Sequence, residues 1–157
     1  EHELNHNFLV LPLNASTREH AKGFDESTGF LPSSLAQIYR FDQMVREISR
    51  KNAGAKLVFC SGVERLAQMK TAFLIGTHLI MTHCVGSDGI LAAFHPMNEI
   101  LDYDLPSEAT HLSIRNCWSS LASAKEMDWL DFWEIFDTGN REDATINLDE
   151  YTHYASP

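Results

Sequence analysis

Residues Ala55–His83 read AKLVFCSGVERLAQMKTAFLIGTHLIMTH, and how this stretch divides decides the fold. Its first six residues are short, apolar and rich in β-formers, which predicts a strand ending at Cys60. Ser61-Gly62 supplies a turn. From Val63 to His83 there is no proline, and the residues from Ala72 onward are apolar nearly all round, which predicts a long, buried central helix. A strand, a tight turn and a helix whose N-terminus faces the turn is also the geometry on which phosphate-binding loops are built.

Cysteine-based phosphoryl chemistry on such a loop needs more than the shape. The thiolate sits at the strand end, and an Arg six positions later clamps the phosphoryl oxygens in a two-pronged fork. Six after Cys60 is Leu66. Arg65 comes one position early, and Glu64 places a negative charge in the loop. The residues Cys60, Ser61, Gly62, Glu64 and Arg65 therefore read as a degenerate loop, with Cys60 expected as a buried thiol rather than a nucleophile. The His-Cys pair His83-Cys84 fails the same count, because six after Cys84 is Ile90 and the loop carries Asp88.

Outward from this unit, Phe8–Leu11 closed by Pro12 predicts an earlier strand, and residues 14–29 a polar loop. Pro32-Ser33-Ser34 predicts a helix start, with Leu35, Ile38, Phe41, Val45 and Ile48 recurring at helical spacing until Asn52-Ala53-Gly54. After His83, Val85–Gly89 predicts a turn in which Asp88 caps a short helix ending by Pro96. Residues 102–111 read as an acidic loop, Leu112–Arg115 as a strand, and Ser119 to about Phe136 as an amphipathic helix. Asn147 and Glu150 have the spacing of a capping box. Strands alternating with helices predict a single α/β domain over residues 1–157, with a small, partly parallel central sheet flanked by helices.

The totals exclude several classes. With 44% hydrophobic and 22% charged residues, the chain has the composition of a folded domain rather than a disordered one. Three cysteines, Cys60, Cys84 and Cys117, make no even disulfide framework and are expected as reduced thiols of an intracellular protein, in nucleus or cytoplasm. The net charge of −10 is unevenly placed: residues 1–98 hold nine acids and nine bases, residues 99–157 thirteen acids and three bases. An acidic C-terminal region argues against nucleic acid as a partner and fits a basic peptide or a solvated face. The longest apolar run, Ala72 to Met81, is too short to span a bilayer. His78 and His83 are five apart, about 140° round a helix, so they cannot chelate from one face as an i, i+4 pair would; no metal and no cofactor are expected. No Gly-x-Ser-x-Gly elbow is present for a hydrolase triad. Trp118, Trp129 and Trp133 are expected in the core or at an interface with a second domain.

Three segments carry a resemblance: SLAQIYRF at Ser34–Phe41, MKTAFLIG at Met69–Gly76 and NLDEYTHY at Asn147–Tyr154. With an early strand like Phe8–Leu11, the Phe30-Leu31-Pro32 element and an Arg like Arg115 after a short strand, their order and spacing resemble the N-terminal half of the cell-division-cycle-fourteen family. These dual-specificity phosphatases reverse proline-directed phosphorylation at mitotic exit. The resemblance implies a phosphatase-like fold that is not catalytic by itself, followed in the parent chain by a catalytic domain that holds the nucleophilic Cys, its Arg and the general acid. It further implies one wall of an acidic groove for basic phosphopeptide substrates, with Asp149, Glu150, Asn116, Asp25 and Glu26 as the candidate groove residues. The sequence departs from the family at Asn116, where an acid is usual, and at Thr152 and Ala155, where glutamates are usual. The competing reading is a stand-alone pseudophosphatase serving as an interaction scaffold.

Overall fold

The computed structural model describes residues 8–13, 35–102 and 113–130. They form a mixed α/β structure, mostly helical, with one small two-stranded parallel sheet. Strand β1 (Phe8–Pro12) leads through α1 (Leu35–Lys51) to β2 (Lys56–Cys60), and the two strands pair in parallel with Phe8 opposite Lys56 and Pro12 opposite Cys60. One more ladder bond, Leu13 N–H to the Cys60 carbonyl at 2.8 Å, extends the pairing. Then come α2 (Arg65–His83), α3 (Ser87–Ala93), a 3₁₀ turn at His95–Met97, α4 (Asn98–Leu101) and α5 (Ile114–Glu126).

The strand alternation sorts the side chains. Leu9, Leu11, Leu57 and Phe59 are half-buried toward the helices, while Phe8, Val10, Val58 and Cys60 point to the other, exposed face. Phe8 and Val10 are 58% and 57% exposed there, unusual for a parallel sheet, whose two faces are ordinarily covered. Cys60 is thus exposed rather than buried as expected, because β2's period of two puts it on the face opposite Phe59.

Helix α1 buries Ile38, Phe41 and Val45 of the stripe its spacing predicts, leaves Leu35 and Ile48 half-buried, buries Tyr39 as well, and ends with Arg50 and Lys51 against the negative end of its dipole. Asn52 closes the end by donating its backbone N–H and its side-chain amide to the Ile48 carbonyl at 3.0 and 2.9 Å. Gly54, at φ +85°, turns the chain into β2.

Helix α2 is the buried centre, two residues shorter at its start than expected. Its residues Met69, Ala72, Phe73, Leu74, Ile80 and Met81 fill the core between α1 and α5. Trp118 of α5 is fully buried against it and donates its indole N–H to the Phe73 carbonyl at 3.2 Å, while Phe94 packs on the indole with centroids 5.0 Å apart. The helix stops at Cys84, which adopts the left-handed conformation and donates its N–H to Leu79. Lys125 of α5 donates its ammonium to the Met81 carbonyl of the same last turn.

Three local expectations are corrected. Gly86, not Asp88, is the N-cap of α3; Asp88 lies in the first turn, where a carboxylate still complements the dipole. Of the strand expected at Leu112–Arg115, the described part, Ser113–Arg115, is not a strand: Ser113 is an N-cap whose hydroxyl accepts the Asn116 N–H at 3.3 Å, and Ile114 opens α5 fully buried. That helix ends at Glu126 rather than near Phe136, because Asp128 turns left-handed at φ 56°. Trp129 consequently leaves the helical register and is 73% exposed. The expected loop at 14–29, most of that at 102–111, Trp133 and the capping box at Asn147 and Glu150 lie outside the described residues. Among the described residues, no helix is long and apolar enough to cross a membrane.

Candidate functional site

In the strand–turn–helix unit Cys60 ends β2, Ser61, Gly62 and Glu64 lie in the connection and Arg65 opens α2. Ser61 and Gly62 are half-buried, whereas Val63 (94% exposed), Glu64 and Arg65 stand in solvent. Glu64 occupies the N-cap of α2 in an extended conformation, yet its side chain makes no capping bond; its carbonyl takes the Gln68 N–H at 3.0 Å. A carboxylate in that position meets any incoming dianion with like charge. Leu66, where the clamping guanidinium would sit, is an exposed aliphatic side chain. The loop has the position of a phosphate cradle without the charges of one.

Of the groove candidates, Asn116 lies in the first turn of α5, exposed, with its N–H on Ser113 and its carbonyl accepting the Ser120 hydroxyl at 2.9 Å. Its neighbour Arg115 donates to the Asp102 carboxylate and, at 2.8 Å, to the Asn98 side chain, tying α5 to α4. Asp25, Glu26, Asp149 and Glu150 lie outside the described residues.

A second polar constellation was not singled out from the sequence. Asp42, fully buried on α1, receives His78 Nδ1 of α2 at 2.6 Å on Oδ1, and the Thr82 hydroxyl donates to the same oxygen. Arg46 forms an ion pair with Oδ2 at 2.7 Å and donates to Thr82 Oγ1 at 3.2 Å. Burial alone would raise the Asp42 pKa, but the bonds from His78 and Thr82 and the charge of Arg46 outweigh it and hold the carboxyl below the usual aspartate value. Since a carboxylate only accepts, His78 must carry a proton on Nδ1. The His83 ring stands edge-on to His78, centroids 5.4 Å apart.

The chemistry of this cluster is that of a clamp. In a hydrolase triad the hydroxyl and the carboxylate bond opposite nitrogens of the imidazole. Here Thr82 and Asp42 are both on the Nδ1 side, so no nucleophile is activated. Two signals in the sequence pointed to it: Asp42 interrupts the apolar stripe of α1 with Arg46 one turn on, and His78 with Thr82 repeats that spacing on the most apolar helix of the chain. Among the described residues, no three His, Cys, Asp or Glu side chains gather to hold a metal ion.

No family model and no curated protein sequence matches the chain.

Proposed function

We propose that this chain is the non-catalytic N-terminal domain of a dual-specificity protein phosphatase of the mitotic-exit type, supporting a catalytic half and shaping a groove for basic phosphopeptides. The observation that carries the reading is the strand–turn–helix at Lys56–His83: it has a cysteine at the strand end, and it lacks a guanidinium at position 66 and has Glu64 in the loop. A working loop would need the opposite charge. The exposed apolar face of the sheet, at Phe8, Val10 and Val58, also supports a domain that packs on another. Asp149 and Glu150 are the carboxylates assigned to the basic residue of the substrate.

The size of the endogenous polypeptide tests this directly. An immunoblot against the domain should detect a species far heavier than 17.8 kDa, with a His-Cys loop and its Arg downstream. A species near 17.8 kDa would overturn the reading in favour of a stand-alone scaffold. Within the longer protein, Asp149→Lys with Glu150→Lys should raise KM for substrates with a basic residue after the phospho-Ser-Pro and leave aryl phosphate hydrolysis unchanged. Hydrolysis of an aryl phosphate by the 157-residue chain itself, abolished by Cys60→Ser, would show the loop to be catalytic after all.

A further inference from the structure

Two histidines stand in the last turns of α2. His78 is buried, and its Nδ1 meets the Asp42 carboxylate at 2.6 Å, with the Thr82 hydroxyl 3.3 Å away. Since the proton is held on Nδ1, the lone pair of the neutral ring lies on Nε2. His83 is exposed, and its ring stands edge-on to His78 with centroids 5.4 Å apart. On an ideal helix residues five apart diverge by about 140°; these two side chains reach across that angle and meet.

We propose that His78 Nε2 and a ring nitrogen of His83 form a two-imidazole site for a divalent transition-metal ion, with water at its remaining positions. A Zn²⁺ ion lies about 2 Å from each ligating nitrogen, which puts each ring centroid about 3 Å from the ion and, at a tetrahedral angle, the two centroids about 5 Å apart. The observed spacing is one that two rings sharing an ion would have. The carboxylate of Asp42 on Nδ1 is the outer partner that metal-bound histidines ordinarily have: it fixes the tautomer and makes Nε2 more basic. The carbonyl end of α2 favours positive charge near this turn, and the neighbouring cation, Arg46, is ion-paired with Asp42 at 2.7 Å. Imidazole selects zinc, copper or nickel over magnesium and calcium, which prefer oxygen ligands. Among the described residues no third such ligand joins the pair, so the site is weaker and more exchangeable than a resident zinc centre with three or four protein ligands. It stands whether or not a catalytic half follows this domain.

Zinc titration of the 157-residue chain, followed by NMR of the imidazole signals, tests the site. The rings of His78 and His83 should shift together with one common affinity, and Mg²⁺ should move neither. In His83→Gln, a change at an exposed position that leaves the core intact, His78 should no longer respond at zinc concentrations that saturate the wild type. Asp42→Asn should weaken the common affinity by about 10–100-fold, and Cys84→Ser should leave it unchanged. Separate affinities for the two rings would overturn the proposal, as would a His78 response that persists in His83→Gln. Loss of binding in Cys84→Ser would overturn it too, by making the neighbouring thiol the ligand.

Discussion

Trp118 stands where a side chain on Gly76 would have to be. A Cβ built on Gly76 would lie 2.7 Å from the indole Nε1 and closer still to the ring carbons, well inside van der Waals contact. The indole cannot retreat cheaply, since its N–H is bonded to Phe73 and Phe94 backs the ring. Gly76→Ala gains up to about 1 kcal/mol of helix propensity, but overpacking a core costs about 1–3 kcal/mol. The expected net result is a lower urea midpoint and a change in the fluorescence of Trp118.

Gly54→Ala should destabilise for a different reason. Nothing lies within 4 Å of its would-be Cβ, so there is no clash, but the backbone sits at φ +85°. An L side chain pays about 1 kcal/mol for that region. Gly54→Asn should recover part of the loss, because asparagine tolerates it better. Equal midpoints for the alanine and asparagine variants would argue against a conformational cause.

Asp42 should dominate the acid limb of stability. Its folded pKa lies below the ordinary value of 3.8, so the unfolded chain binds the proton more tightly. Its contribution is complete above pH 3.8 and is lost as pH falls toward and through the folded value. Asp42→Asn should flatten the stability profile in that window. Asp42→Ala, which strands Arg46 and His78 at a buried site, should cost about 3–5 kcal/mol near neutral pH. Denaturant midpoints followed from pH 7 to pH 2 would check both.

The three thiols should separate by reactivity. Cys60 and Cys84 are exposed, whereas Cys117 is half-buried in α5, and burial pushes its thiol above the usual range. A disulfide reagent at pH 8 should therefore modify two cysteines of the native chain quickly and the third slowly. Cys60→Ser and Cys84→Ser should each remove one fast equivalent.

The central unit at Ala55–His83 was legible because its signals are local: a short β-rich run, a glycine turn and a long stretch without a breaker. The stripe of α1 was legible for the same reason. Leu112–Arg115 misled because Leu-Ser-Ile-Arg alternates like a strand, while the capping bond of Ser113 and the full burial of Ile114 outweigh that pattern. The early end of α5 has no glycine or proline to announce it; Asp128 takes the left-handed conformation instead. The Asp42–His78 clamp joins residues 36 apart in sequence, and only packing α1 on α2 shows that two isolated polar residues are partners. Cys60 was expected buried because it ends an apolar run, but it lies on the face of β2 that is exposed with Val58.

The parallel pairing of β1 with β2 also orders the folding of the chain in time. Aligning Phe8 with Lys56 closes a loop of about 48 residues before any ladder bond repays the entropy. The turn Asn52–Ala55 and the contacts between α2 and its immediate successors span far shorter separations. Helices α2 to α4 can therefore gather before the sheet exists, whereas β1 and α5, which reaches back 45 residues to Phe73, close loops of similar length and arrive later.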